Sequence, residues 1–188
     1  MDSLAAPEIS GTYLITASLV SNPSVKDTVN LNVQVPRLVY FGDLIYLPNS
    51  DKPFTFFQSD IGIANHPEND YCTPAMGDSL FLAIQDFYDR SASTQGGVPL
   101  KLSLNDMSLP WGGAFDYKGN WNVNSEHTFH RIGLAVDINN TGLKVSDPSN
   151  PKLTHLTRIG EHLKTSVEKF GGAIYSEPTI HFGFFHHN

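Results

Sequence analysis

His130, Asp137 and His181 are the residues of this chain whose types and spacing could do chemistry. A His, an Asp and a second His supply neutral nitrogen and anionic oxygen donors, the kind of set an open hydrolytic zinc site uses. Three protein ligands leave a fourth position for water, which separates catalytic zinc from structural zinc. The run His130-Arg-Ile-Gly-Leu-Ala-Val-Asp137 suits that role locally. Gly133 permits a turn after His130, and Leu134, Ala135, Val136 and Ile138 predict a buried strand leading through Asp137. A carboxylate inside such an apolar run is costly unless something pairs with it, and a metal ion would do so. The plainer alternative is a buried, hydrogen-bonded His–Asp pair.

The elements that must position these residues are legible in outline. Alternation at period two in Gly11–Leu19 and again in 29–35 predicts a β-hairpin, with 21–27 as a turn-rich connector. Pro36-Arg37 marks a boundary. Beyond it, 38–47 and 54–57 read as short strands and 58–72 as loop. Thr73-Pro74 is a good helix start, and Leu80, Phe81, Ile84, Phe87 and Tyr88 then share one helical face before the polar stretch 91–97 ends it. Val98, Leu100, Leu102 and Leu104 alternate as a strand, followed by a long irregular segment up to Trp121. A second helix is predicted over 152–170, with Leu156, Ile159, Leu163, Val167 and Phe170 as its buried stripe and Gly171-Gly172 as its stop. Strands at 173–175 and 179–184 close the chain. This pattern predicts an α+β fold: a mainly antiparallel sheet flanked by two main helices, with an N-terminal β-hairpin extension. The expected domains are a hairpin unit over 1–36 and a main domain over 37–188.

Composition narrows the function classes. The 188 residues are 40% hydrophobic and 16% charged, as in an ordinary globular protein, and the net charge of -7 argues against nucleic acid as a partner. No apolar run is long enough to predict a membrane span. Met1-Asp-Ser-Leu-Ala-Ala-Pro has neither a basic start nor a long apolar core, so it does not read as a signal peptide. Cys72 is the single cysteine, which leaves no internal disulfide. His155 and His162 read as residues on the solvated face of the second helix, and His66, His186 and His187 as loop or terminal residues. Tyr71, Trp111, Phe115, Tyr117 and Trp121 make an aromatic-rich approach to the His130 run.

The stretch His127-Thr-Phe-His130-Arg-Ile-Gly-Leu-Ala-Val-Asp137 with a distal His resembles the zinc-peptidase clan of D-Ala-D-Ala carboxypeptidases, lysostaphin-type endopeptidases and the hedgehog signalling domain. It is closest to the penicillin-insensitive murein endopeptidases and D-Ala-D-Ala carboxypeptidases, whose upstream Ser-Leu-Pro-x-Gly-Gly-like loop is matched by Ser108-Leu-Pro-Trp-Gly-Gly113. The resemblance covers 38–188. It implies Zn2+ held by His130, Asp137 and His181, and hydrolysis of peptidoglycan peptides. Glu177 is the implied general base, with His127 as the alternative, and Arg131, Trp111 and Tyr117 are candidate substrate contacts. These families carry His-x-His or Glu-x-x-His at the last ligand; here Thr179 stands two before His181 and Glu177 four before it.

About 25 residues of the N-terminal segment are similar to the last two strands of a bacterial immunoglobulin-like repeat. Together these resemblances imply a monomer at the cell surface, in the periplasm or outside the cell, with its export signal elsewhere. Two rival expectations stand beside the peptidase: a zinc-bearing binding module without catalysis, and a metal-free wall-binding adhesin fragment.

Overall fold

The computed structural model describes residues 10–56, 69–113, 130–139, 142–176 and 180–183. The chain opens with β1 (Gly11–Leu19) and β2 (Asn22–Val33), paired antiparallel with Tyr13 opposite Leu31 and Ile15 opposite Val29. The hairpin is tighter than expected, turning at Val20 and Ser21, and the predicted connector belongs to β2. Pro23 is tolerated there because a two-stranded ribbon has only edge strands. After the hairpin, Arg37 takes a left-handed backbone with φ of 63°, and the chain turns into the main domain.

β3 (Val39–Tyr40) leads directly into a 3-10 turn over Phe41–Leu44, where a continuous strand was expected. That turn sinks Phe41 completely into the core, a burial worth about 1.5–3 kcal/mol. β4 (Phe54–Phe56) follows, then β5 (Tyr71–Cys72), which pairs with β3 in a region expected to be loop. The first helix, α1 (Pro74–Thr94), starts where the cap predicts, with Thr73 Oγ1 accepting from Met76 N. Its buried face is Met76, Leu80, Ala83, Ile84 and Phe87, with Phe81 and Tyr88 half-buried at the margins.

β6 (Leu102–Leu104) and β7 (Ala135–Ile138) come next. The second predicted helix begins later than expected. β8 (Lys144–Asp147) and β9 (Asn150–Leu156) form a small hairpin, and α2 runs only over Arg158–Lys169. The reason is local. Thr157 Oγ1 accepts from Gly160 N at 3.1 Å, and Thr157 N donates to Leu143 O, so Thr157 ends the strand and caps the helix. Gly160 lets α2 approach closely, because a Cβ there would run into Leu143 O.

β10 (Ala173–Ser176) and β11 (Ile180–Gly183) complete a five-stranded sheet in the order β10-β11-β7-β6-β4. Among the described strands only the β4–β6 pairing is parallel, so the fold is α+β with a mainly antiparallel sheet and an N-terminal hairpin. The two helices pack on each other and share one core with the sheet, drawn from Leu102, Leu104, Val136, Ile138, Leu163 and Val167 among others. No helix among the described residues is long and apolar enough to cross a membrane.

Candidate metal centre

β7 is buried along its whole length, and Asp137 within it keeps only 4% of its surface exposed. Its backbone is clamped on both sides by the segment after β6: Asp137 N donates to Asp106 O at 2.9 Å, and Asn105 N donates to Asp137 O at 2.7 Å. The carboxylate therefore projects from a fixed point.

His130 enters from a short 3-10 turn over His130–Ile132. Gly133 closes that turn with φ of 69°, and its N–H donates to His130 O. No side chain fits at this position, because a Cβ would lie 3.0 Å from Thr73 N and 3.1 Å from Cys72 Cα. Thr73 N also donates to Gly133 O at 3.0 Å, so the turn is seated against the start of α1. The sequence expectation of a glycine turn after His130 holds, for a tertiary reason as well as a local one.

The imidazole of His130 is 1% exposed, and its Nδ1 lies 2.7 Å from Met107 O. A carbonyl oxygen only accepts, so Nδ1 carries the proton; in the neutral ring Nε2 then presents its lone pair. Nε2 faces Asp137 Oδ1 at 3.4 Å. A charge-assisted hydrogen bond between them would be about 2.7–2.9 Å. Two donors each about 2.0–2.1 Å from one tetrahedral zinc stand roughly 3.3–3.4 Å apart. The pair thus has the spacing of two ligands of one ion, and the hydrogen bond to Met107 is the kind of contact that orients a metal-binding histidine. The spacing of these two donors suits a zinc ion.

His181 lies in β11 directly opposite Asp137. Opposed positions in an antiparallel pair share a sheet face about 4.5–5.5 Å apart at Cβ, so the register brings position 181 beside position 137. The described side chains contain no group of three His, Cys, Asp or Glu closing on one point; the His181 side chain is not among them. Glu177, His127 and Tyr117 lie outside the described residues, as do His66, Phe115, Trp121, His186 and His187.

Arg131 is half-buried, and its carbonyl accepts from Gly113 N at 2.8 Å, which ties the Ser108–Gly113 loop to the His130 turn. Trp111, on that loop, is 50% exposed. Tyr71 belongs instead to an aromatic cluster, its ring 5.8 Å from that of Tyr40, which in turn lies 5.7 Å from Phe56. His155 is exposed as expected, but on β9 rather than a helix. His162 departs from expectation: it is half-buried on α2, and its enclosed Nε2 has no hydrogen-bond partner among the described residues.

Sequence reasoning missed two features of this region. The orienting acceptor is a main-chain carbonyl, Met107 O, which has no signature in residue type. The second is acidic: Asn69 Nδ2 donates to Asp106 Oδ1, and Asp70 has its carboxyl pushed up to about 7 by burial and then by the charge of Asp106. No family model, curated protein or solved structure matches this chain.

Proposed function

We propose that this chain is a zinc-dependent peptidase that hydrolyses peptide bonds of peptidoglycan, of the D-Ala-D-Ala carboxypeptidase or murein endopeptidase type. The observation that carries the reading is the buried His130–Asp137 pair, held at ligand spacing with its imidazole oriented by Met107 O. His181 supports it through its register opposite Asp137. Zinc, when bound, supplies a polarised scissile carbonyl and a water whose pKa falls toward about 7.

The protein's own part in the reaction is positional. Met107 O fixes the tautomer of His130, and the Asn105–Asp106 clamp fixes Asp137, so the donors keep their places without reorganising during reaction. Glu177, or His127 in its place, is proposed to take the proton from the attacking water and deliver it to the leaving amine. Trp111, Tyr117 and Arg131 are proposed to hold the peptide. This substrate places the protein outside the cytoplasm, at the cell surface or in the periplasm.

The test is digestion of purified cross-linked muropeptides, followed by chromatography and mass measurement of the products. Cleavage that stops with a chelator, returns with Zn2+ and is absent in Asp137→Ala is the expected result. A second reading, a zinc-bearing binding module, is favoured by the four-residue spacing of Glu177 from His181. Full zinc loading with no cleavage of any muropeptide would select it.

A further inference from the structure

The segment Met107–Gly113 touches the metal-site turn twice. Met107 O accepts from the His130 ring, and Gly113 N donates to Arg131 O at 2.8 Å, one residue further along. This strap is gripped from its other side by the hairpin. Val35 N donates to Trp111 O at 2.8 Å, and Ser10 Oγ lies 3.0 Å from Trp111 O and 2.6 Å from Gly112 O, a donor to both. Ser10 and Val35 flank β1 and β2, so the two ends of the hairpin close on the same two residues of the strap.

The packing at this junction leaves no slack. Gly112 has φ of 70°, and a Cβ there would stand 2.6 Å from Arg131 O and collide with the Val35 side chain. Hairpin, strap and metal-site turn therefore meet at one glycine. Elsewhere β1 and β2 pair only with each other among the described strands, and Leu14, Val20 and Val29 are largely exposed. A two-stranded hairpin is marginal by itself. Ser10 and Val35 tie its root to the strap.

We propose that the β1–β2 hairpin is a positioning element for the metal centre, with Ser10 and Val35 bracing the strap that orients His130. The proposal rests on the zinc reading for its functional meaning, but the bracing itself is independent of metal. Removing the brace is expected to let the strap move, which loosens both the Gly113–Arg131 and the Met107–His130 hydrogen bonds. Contacts that orient a metal ligand typically change affinity about 10–100-fold when lost; one step further out, about three- to tenfold is expected.

The experiment compares the full chain with Ser10→Ala, with Val35→Pro, which removes the donating N–H, and with the double variant. Hydrogen exchange by nuclear magnetic resonance is read at the Gly113 amide, the His130 Nδ1–H and the Asn139 amide, which donates to Ser103 in the sheet. Titration with Co2+ gives affinity and the visible absorption of the bound ion. Faster exchange at Gly113 and His130 with Asn139 unchanged, weaker Co2+ binding, and recovery of both in Ser10→Thr are the expected results. Unchanged exchange at Gly113 and His130 in the double variant would overturn the proposal. A uniform rise at all three sites would overturn it too, because that reports general destabilisation. Should no form bind Co2+, the zinc reading fails while the exchange rates still decide the bracing.

Discussion

Asp86, on α1 where it meets α2, receives Arg90 Nε at 2.5 Å, Lys169 Nζ at 2.6 Å and Ser166 Oγ at 2.7 Å. Asp137, in β7, instead faces His130 Nε2 at 3.4 Å, and that nitrogen belongs to a ring whose other nitrogen is committed to Met107. Both carboxylates stand beside basic groups, and Asp86 receives three donors at contact distance. Burial opposes the ionisation of Asp86, and the hydrogen bonds from Arg90, Lys169 and Ser166 outweigh it, holding the carboxyl well below its usual range. The lesson is one of distance. Donors at contact range mark a carboxylate that locks two helices, whereas the 3.4 Å between Asp137 and His130 is the spacing on which the proposed zinc site rests.

Substitution should separate the two carboxylates. The largest effect is expected at the metal pair: Asp137→Ala or His130→Ala should abolish zinc retention and muropeptide cleavage, read by elemental analysis and product chromatography. Asp86→Ala should leave zinc content unchanged. Retained zinc in Asp137→Ala together with lost zinc in Asp86→Ala would reverse the comparison.

A smaller effect is expected on stability. Asp86→Asn should cost about 1–2 kcal/mol in denaturant unfolding near pH 7, a value reduced because Lys169 and Arg90 are partly exposed. The folded pKa of Asp86 is depressed, so its contribution is present above the ordinary carboxylate value and is lost as pH falls through the folded value. The gap between wild type and Asp86→Asn should therefore close in strong acid.

Asp70 has the opposite sign. Its folded pKa of about 7 exceeds the ordinary 3.8, so the folded state holds a proton that the unfolded state releases. Its stabilising contribution is complete below about 4 and is lost as pH rises to about 7. Thermal unfolding of Asp70→Asn should show a flatter decline in Tm between pH 4 and pH 8 than wild type. Parallel curves would remove Asp70 as the source. The least effect is chemical: Cys72 is fully buried and its thiol is pushed up to about 12 by burial and then by Asp78, so a thiol reagent should label it only on unfolding.

Features set by neighbours in sequence were legible before the structure. Thr73 capping α1, the glycine turn after His130 and the buried run around Asp137 all follow from local residue types. Where partners are distant, the sequence reading failed in particular ways. Leu156 keeps helical spacing with Ile159 and Leu163, yet the pairing of β9 with β8 and the Thr157 cap draw it into a strand. Tyr71-Cys72 looks like loop because its strand partners are Val39, Tyr40 and an isolated bridge to Ser108. The candidate site divides the same way. His130 and Asp137 are visible as residue types at a spacing, but the carbonyl of Met107 that orients His130 is contributed by backbone. No composition reports a carbonyl's direction.

Whether His130 and Asp137 bind zinc decides the proposed function. The decisive measurement is the zinc stoichiometry of the purified full chain after reconstitution and dialysis, beside His130→Ala and Asp137→Ala of confirmed fold. One zinc per chain, lost in both variants, is the predicted result. A wild-type protein that retains no zinc, or variants that retain it fully, would contradict the account.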